Sequence, residues 1–149
     1  MDDFIRAIVK GVYIVNTING PTPMVLISDE ERKIMPIYVG MPEGISINSA
    51  LNNEVTPRPM THDLMINSIE SLGARISDVY IDEIQNGTYY ARLALTYNGS
   101  VMEIDARPSD CISLAIRVDA PIKVRRSVFE SSLITEDELE GIMTLNSFL

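Results

Sequence analysis

The sequence predicts a single α+β domain over residues 1–149. Its core is a mixed, mostly antiparallel β-sheet with a three-stranded meander at 78–106. About four helices accompany it, one of them central and buried at 109–118. Three observations carry this reading. Two Asn-Gly pairs, Asn86-Gly87 and Asn98-Gly99, separate runs of β-branched and aromatic residues. Asn-Gly accepts positive φ at both central positions, which a two-residue type I′ hairpin requires. The stretch after Asp110, CISLAIRV, is apolar almost all round, interrupted by Ser113 and Arg117, and such a helix is buried on most sides. Finally, 149 residues with 46% hydrophobic content suit one domain with a core that needs no staples.

Residues 4–18 are nearly continuous strand-type sequence, with Gly11 marking a bulge or bend. Asn19-Gly20-Pro21-Thr22-Pro23 is expected to end that strand, because proline cannot donate to a ladder. A short strand follows at 24–28, then a charged turn, then a strand at 33–39 whose Pro36 belongs at an edge or bulge. Pro42 and Glu43 open a helix running to about 52, since proline suits the first turn and a carboxylate complements its partial charge. Thr61 is the expected N-cap of a second helix at 62–72, with Met65, Ile66, Ile69 and Leu72 buried and Gly73 as left-handed cap.

The two Asn-Gly turns fix the register of the meander, predicted at 78–85, 88–97 and 100–106. Ile84 should face Tyr89, Asp82 face Ala91, and Tyr80 face Leu93; across the next turn Leu95 faces Met102, Leu93 faces Ile104 and Ala91 faces Ala106. The core face would then hold Tyr80, Ile84, Tyr89, Ala91, Leu93, Leu95, Met102 and Ile104. The other face pairs Arg92 with Asp105. Asp82 is anomalous, an acid on the core face, either at a wet rim or answering a cation. A strand at 122–124 and an irregular or helical turn at 127–131 follow. Thr135 with Glu138, and Ile134 with Leu139, fit a capping box and a hydrophobic staple for a last helix at 136–145.

Composition excludes several classes. No apolar run is long enough to span a bilayer, and the acidic start Met1-Asp2-Asp3 lacks a signal peptide's basic region. One cysteine, Cys111, rules out an internal disulfide framework and is read as a core residue. A cytoplasmic protein is expected. The net charge of −9 argues against broad attraction to phosphate backbones. Zinc-ligand spacings, P-loops, GxGxxG and serine-elbow motifs are absent from the sequence.

Two stretches share a plan: Arg58-Pro59-Met60-Thr61-His62-Asp63 and Arg107-Pro108-Ser109-Asp110. Each runs arginine, proline, hydroxyl, carboxylate, helix. Helix capping accounts for the last three residue types but not for the repeated arginine. The functional reading is that the two corners converge. Arg58 and Arg107, with Thr61 and Ser109, would bind phosphate, because a guanidinium fork matches phosphate oxygens. Asp63, Asp105 or Asp110 would act as base or hold Mg2+ or Mn2+. His62, the sole histidine, would donate a proton to the leaving oxygen, although its helical phase also fits a buried, hydrogen-bonded imidazole.

At these residues the sequence resembles the bifunctional nuclease domain family. The resemblance rests on Met-Pro-Ile-Tyr-Val-Gly at 35–40, Arg58-Pro59-x-Thr61-His62-Asp63-Leu64, Leu72-Gly73-Ala74, Asn86-Gly87-Thr88-Tyr89-Tyr90-Ala91 and Ile104-Asp105-Ala106-Arg107-Pro108-Ser109-Asp110. These occur in the family's order and cover roughly residues 8–130, with Cys111 standing where the family usually has alanine. The resemblance implies an α+β domain that self-associates as a homodimer or higher oligomer, and nuclease activity on DNA and RNA. The alternative is a non-enzymatic oligomeric module that binds a small anionic ligand or a protein, its Arg-Pro corners being structural.

Overall fold

The computed structural model describes residues 3–149, so Met1 and Asp2 of the acidic start lie outside the described residues. The elements are β1 (Phe4–Thr17), β2 (Gly20–Ser28), β3 (Ile34–Tyr38), α1 (Met41–Leu51), α2 (Thr61–Ser71), β4 (Arg75–Gln85), β5 (Thr88–Tyr97), β6 (Ser100–Ala106), α3 (Pro108–Val118), β7 (Ile122–Arg125), α4 (Arg126–Ser131), a 3-10 turn (Glu136–Leu139), β8 (Met143–Thr144) and α5 (Leu145–Phe148). The strands form one sheet in the order β3-β2-β1-β7-β4-β5-β6, with β8 on β1. Every pairing is antiparallel except β4 with β7. The α+β expectation, a mostly antiparallel sheet with a buried central helix, holds.

β1 is the long bent strand of the sheet. Its first half pairs with β7 and its second with β2 and β8. The register shifts between Val9 and Gly11, so the glycine sits at the anticipated bulge. The proline-rich segment does not end the strand as expected: β2 begins at Gly20 and carries both prolines, Pro21 opposite Asn16 and Pro23 opposite Ile14. The geometry shows why. Val39 N–H donates to the Pro23 carbonyl at 3.1 Å, so Pro23 turns its carbonyl, and its missing N–H, away from β1. The β1 ladder therefore loses nothing. Pro36 lies on β3, the outermost strand, as predicted.

The meander begins earlier than predicted, at Arg75, and its turns are as expected: Asn86, Gly87, Asn98 and Gly99 have φ of 52, 79, 49 and 77°. Ile84 opposes Tyr89, and all three β5–β6 pairs are the predicted ones. The β4 register differs. A bulge at Asp82 takes the pairing from Ile81–Ala91 to Glu83–Tyr90, so Tyr80 opposes Arg92 rather than Leu93. One extra residue reverses the alternation. Val79 and Ile81 are the core residues, both fully buried, and Tyr80 and Asp82 turn outward. This resolves the Asp82 anomaly: it accepts from Arg92 Nη2 at 2.9 Å and from Arg125 Nη2 at 3.4 Å. Arg92 is opposite Asp105 as predicted, but its guanidinium goes to Asp82 and Glu103 instead. Met102 and Ile104, expected in the core, are 45% and 46% exposed, because β6 is the outermost strand on its side.

From β6 the chain crosses the sheet as α3 and returns as β7 between β1 and β4. That crossover lays α3 over the core. Cys111, Ile112, Leu114 and Ala115 share one buried apolar cluster with Val79, Ile81, Leu93 and Val124. α1 packs over β1 and β2, and α2 flanks α3. The predicted last helix at 136–145 is not formed. The 3-10 turn ends at Leu139, Thr135 makes no side-chain cap bond, and Gly141 takes φ 79°. Residues 136–138 are acidic and exposed and offer no apolar stripe to bury. Instead Met143–Thr144 joins β1, and Leu145 enters the core with no exposure. Among the described residues no helix is long and apolar enough to cross a membrane.

Candidate active site at three helix starts

α1 and α3 each carry a proline in the first turn, α2 follows a loop with Pro57 and Pro59, and the three helices bring their polar residues together. α3 supplies a stripe. Asp110, Ser113 and Arg117 are spaced i, i+3, i+7, one helical face on an otherwise apolar helix. His62, only 8% exposed, lies between that stripe and α1. Its Nε2 is 2.9 Å from Asp110 Oδ1 and its Nδ1 2.7 Å from Ser46 Oγ. Ser46 Oγ is 2.9 Å from Ser113 Oγ, which also accepts from Arg117 Nη1–H. Arg117 Nε–H donates to Asp63 Oδ1 at 3.0 Å, and Arg117 Nη2–H to the Ser46 carbonyl at 3.2 Å. Arg107 closes the other end. Its Nε–H and Nη2–H reach Asp110 at 2.9 and 3.2 Å, and Nη2 lies 3.8 Å from Glu43 Oε2.

Electrostatics follows from these contacts. Burial pushes the Asp110 carboxyl up, but hydrogen bonds from Arg107 and His62 outweigh it and leave it below the usual carboxylate range. Asp63 is also lowered, first by the Met60 N–H at 3.0 Å and then by Arg117, against its own burial. Arg107 is raised, chiefly by its hydrogen bond to Asp110. Burial drives the Cys111 thiol up to about 12, with Asp110 adding to it, so this residue is inert core as expected.

The predicted site residues fall into two groups. The structure joins His62, Asp63, Arg107 and Asp110 in one network, with Ser109 buried beside it. Arg58 and Thr61 stay outside. Both are exposed, and Arg58 makes no side-chain hydrogen bond or ion pair among the described residues. Thr61 is not the N-cap. Met60 is, and its backbone N–H donates to the Asp63 carboxylate. Of the face predicted for α2, Ile66 is buried, but Met65 and Leu72 are 39% and 77% exposed, because they border open cavities between α2 and the β5–β6 edge. Asp105 is exposed at the end of β6, in register with Arg92, and borders a cavity together with Arg107 and Asp110, without a hydrogen bond to either among the described residues.

Sequence reasoning missed Glu43, Ser46, Ser113 and Arg117. The signal was present: Ser113 and Arg117 are the interruptions of the α3 pattern, and together with Asp110 they make a face rather than two blemishes. The arrangement does not fit an inner-sphere Mg2+ or Mn2+ site. Asp110 and Asp63 are already committed to N–H donors, and no three His, Cys, Asp or Glu side chains converge among the described residues.

Two cavities flank Arg107 and share Thr88, Tyr89 and Arg107 in their walls. The smaller, about 320 Å³, lies between β3 and α3 and adds Tyr38, Glu43 and Ser109. The larger, about 690 Å³, lies between α2 and the β5–β6 edge, with Tyr90, Met65, Ile104 and Asp110 in its walls. Arg107 is 63% exposed between them, at the N-terminus of α3.

Comparison with known proteins places the chain. The family described as "Bifunctional nuclease domain" matches over residues 24–137. "Uncharacterized protein Rv1829" of Mycobacterium tuberculosis is 34% identical over 131 residues, covering 87% of this chain and 77% of that protein. "Bifunctional nuclease 2" of Oryza sativa subsp. japonica is 30% identical over 132 residues, 87% of this chain and 41% of its own length. "Bifunctional nuclease 1" of Oryza sativa subsp. indica is 33% identical over 103 residues, 67% of this chain and 31% of its own length. The chain thus spans less than half of these plant relatives. The extent of the match and these identities establish that the chain belongs to the bifunctional nuclease domain family.

Proposed function

We propose that this domain hydrolyses phosphodiester bonds of DNA or RNA at the N-terminus of α3, acting on unpaired strands in the cytoplasm. The observation that carries the reading is Arg107, held by Asp110 and presented between two cavities walled by Tyr38, Tyr89 and Tyr90. Bases stack on aromatic rings and a guanidinium binds the intervening phosphate. The free N–H groups of the first α3 turn add donors on the same side. Glu43, 3.8 Å from Arg107, is positioned to take a proton from an attacking water. The water oxygen bonds to phosphorus, the bond to the leaving ester oxygen breaks, and solvent protonates that oxygen. Arg107 offsets the charge that builds on the phosphoryl oxygens. His62, with both ring nitrogens engaged, holds Asp110 and so Arg107.

The net charge of −9 gives weak non-specific binding with modest salt dependence. Self-association belongs to the same proposal. β6 leaves an open edge, and Met65, Leu72, Met102 and Ile104 are exposed near it, so we expect a homodimer or higher oligomer. One observation favours the second reading, a non-enzymatic binding module: Asp63 and Asp110 are paired, as in a structural brace. Cleavage assays on short RNA and single-stranded DNA separate the two. The nuclease reading expects Arg107→Ala and Glu43→Gln to abolish cutting by folded protein. Equal cutting by both variants and the parent assigns the activity elsewhere, and absence of cutting by the parent favours the module.

A further inference from the structure

We infer that Ser46 is a positioning residue, whose hydroxyl locks the His62 ring with its Nε2 proton on Asp110 and through it the orientation of Asp110 and Arg107. The geometry determines the direction of the hydrogen bonds. Arginine has only N–H donors, so Arg117 donates to Ser113 Oγ. The Asp110 carboxylate can only accept, so His62 Nε2 carries the ring proton, and in the neutral ring Nδ1 accepts from the Ser46 hydroxyl. With its single proton used there, Ser46 Oγ accepts from the Ser113 hydroxyl. Every group in this chain has one partner on each side. Ser113 has no exposure and His62 8%, so water has little room to take the place of a lost partner. An imidazole oriented by the bond at its other nitrogen is a general device for fixing which nitrogen carries the proton.

The charged groups around the ring come from all three helices: Glu43 on α1, Asp63 on α2, and Arg107, Asp110 and Arg117 on α3. Of these, only Asp110 is hydrogen-bonded to an imidazole nitrogen. The other ring nitrogen is hydrogen-bonded to the Ser46 hydroxyl. The inference deepens the nuclease reading and rests on it for its kinetic consequence only.

The test is a long-range 1H–15N spectrum of His62 at pH 8, in the parent, Ser46→Ala and Ser46→Thr, with Ser113→Ala as a second route to the same break. The expected parent spectrum shows a protonated Nε2 and a bare, hydrogen-bonded Nδ1. In Ser46→Ala the Nδ1 resonance moves toward that of a free ring nitrogen, and Ser46→Thr restores it. A proton on Nδ1 in the parent, or an unmoved Nδ1 resonance in Ser46→Ala, overturns the inference. Single-turnover cleavage should fall about tenfold in Ser46→Ala, the worth of one buried hydrogen bond, and recover in Ser46→Thr. Unchanged cleavage with the expected spectra would overturn the kinetic role. A parent that cuts nothing, with the expected spectra, would overturn the nuclease reading and leave the tautomer assignment intact.

Discussion

Replacing Asp110 is the sharpest probe of the polar network, and its cost can be worked out from the contacts. The carboxylate accepts three N–H bonds, one from His62 at 2.9 Å and two from Arg107 at 2.9 and 3.2 Å. The His62 side chain is 10% exposed and that of Arg107 63%. Removing the acceptor therefore strands a nearly buried imidazole N–H, at about 1–3 kcal/mol. The exposed arginine regains water and adds about 0–1 kcal/mol. Asp110→Ala should thus lose about 1–4 kcal/mol. Asp110→Asn keeps an oxygen for the imidazole and should lose about 1 kcal/mol or less. Urea unfolding, with equal slopes for all three proteins, measures both. The reasoning fails if Asp110→Ala lies within about 0.5 kcal/mol of the parent, or if the asparagine costs as much as the alanine.

Acidification should destabilise the fold. Asp110 and Asp63 are both held below the ordinary carboxylate value, so the folded form binds protons less readily than the unfolded chain. Their contribution is full above about pH 4 and is lost as pH falls through the lower folded values. Urea midpoints between neutral and acid pH check this, and a midpoint that rises on acidification contradicts it. Gly44→Ala should cost about 1–3 kcal/mol, because its Cβ would sit 2.8 Å from the Pro23 Cβ across the α1–β2 contact; calorimetry reads the loss. Cys111, buried with its thiol pushed up to about 12, should react with a thiol reagent only as fast as the chain opens. Rapid labelling under native conditions would contradict its burial.

The sequence made some elements plain because their cause was local. The Asn-Gly turns carry their own backbone preference, so the β5–β6 register could be worked out residue by residue. Gly11 and Pro36 likewise announced a bulge and an edge. Other features depend on tertiary context. The bulge at Asp82 has no local marker, yet it decides which β4 residues enter the core. The place where β7 inserts is set by the α3 crossover, and four residues at 122–125 do not name their neighbours. The last helix looked well capped, but packing of Leu145 and pairing of Met143 with β1 outweighed a cap on an acidic, exposed segment.

The candidate site was legible in the same uneven way. His62, Asp63, Arg107 and Asp110 were identified from two matching corners, and the helix packing joins them. Arg58 shares the motif but not the place, because the match at its corner reflects a shared helix entry rather than a shared surface. Ser46 could not be read, since nothing local distinguishes it from other polar residues on a helix, and Glu43 was legible as a first-turn carboxylate but not as a neighbour of Arg107. Their importance comes from α1 lying against α3.

The central claim is that Arg107 holds a phosphate between the two tyrosine-walled cavities. Fluorescence anisotropy of a short labelled single strand tests it most directly, with Glu43→Gln as the background that prevents cutting. Adding Arg107→Ala should weaken binding by about 10- to 150-fold, the worth of a charge-assisted hydrogen bond of about 1.5–3 kcal/mol. Equal affinity with and without the Arg107 guanidinium, in folded protein, would contradict the account.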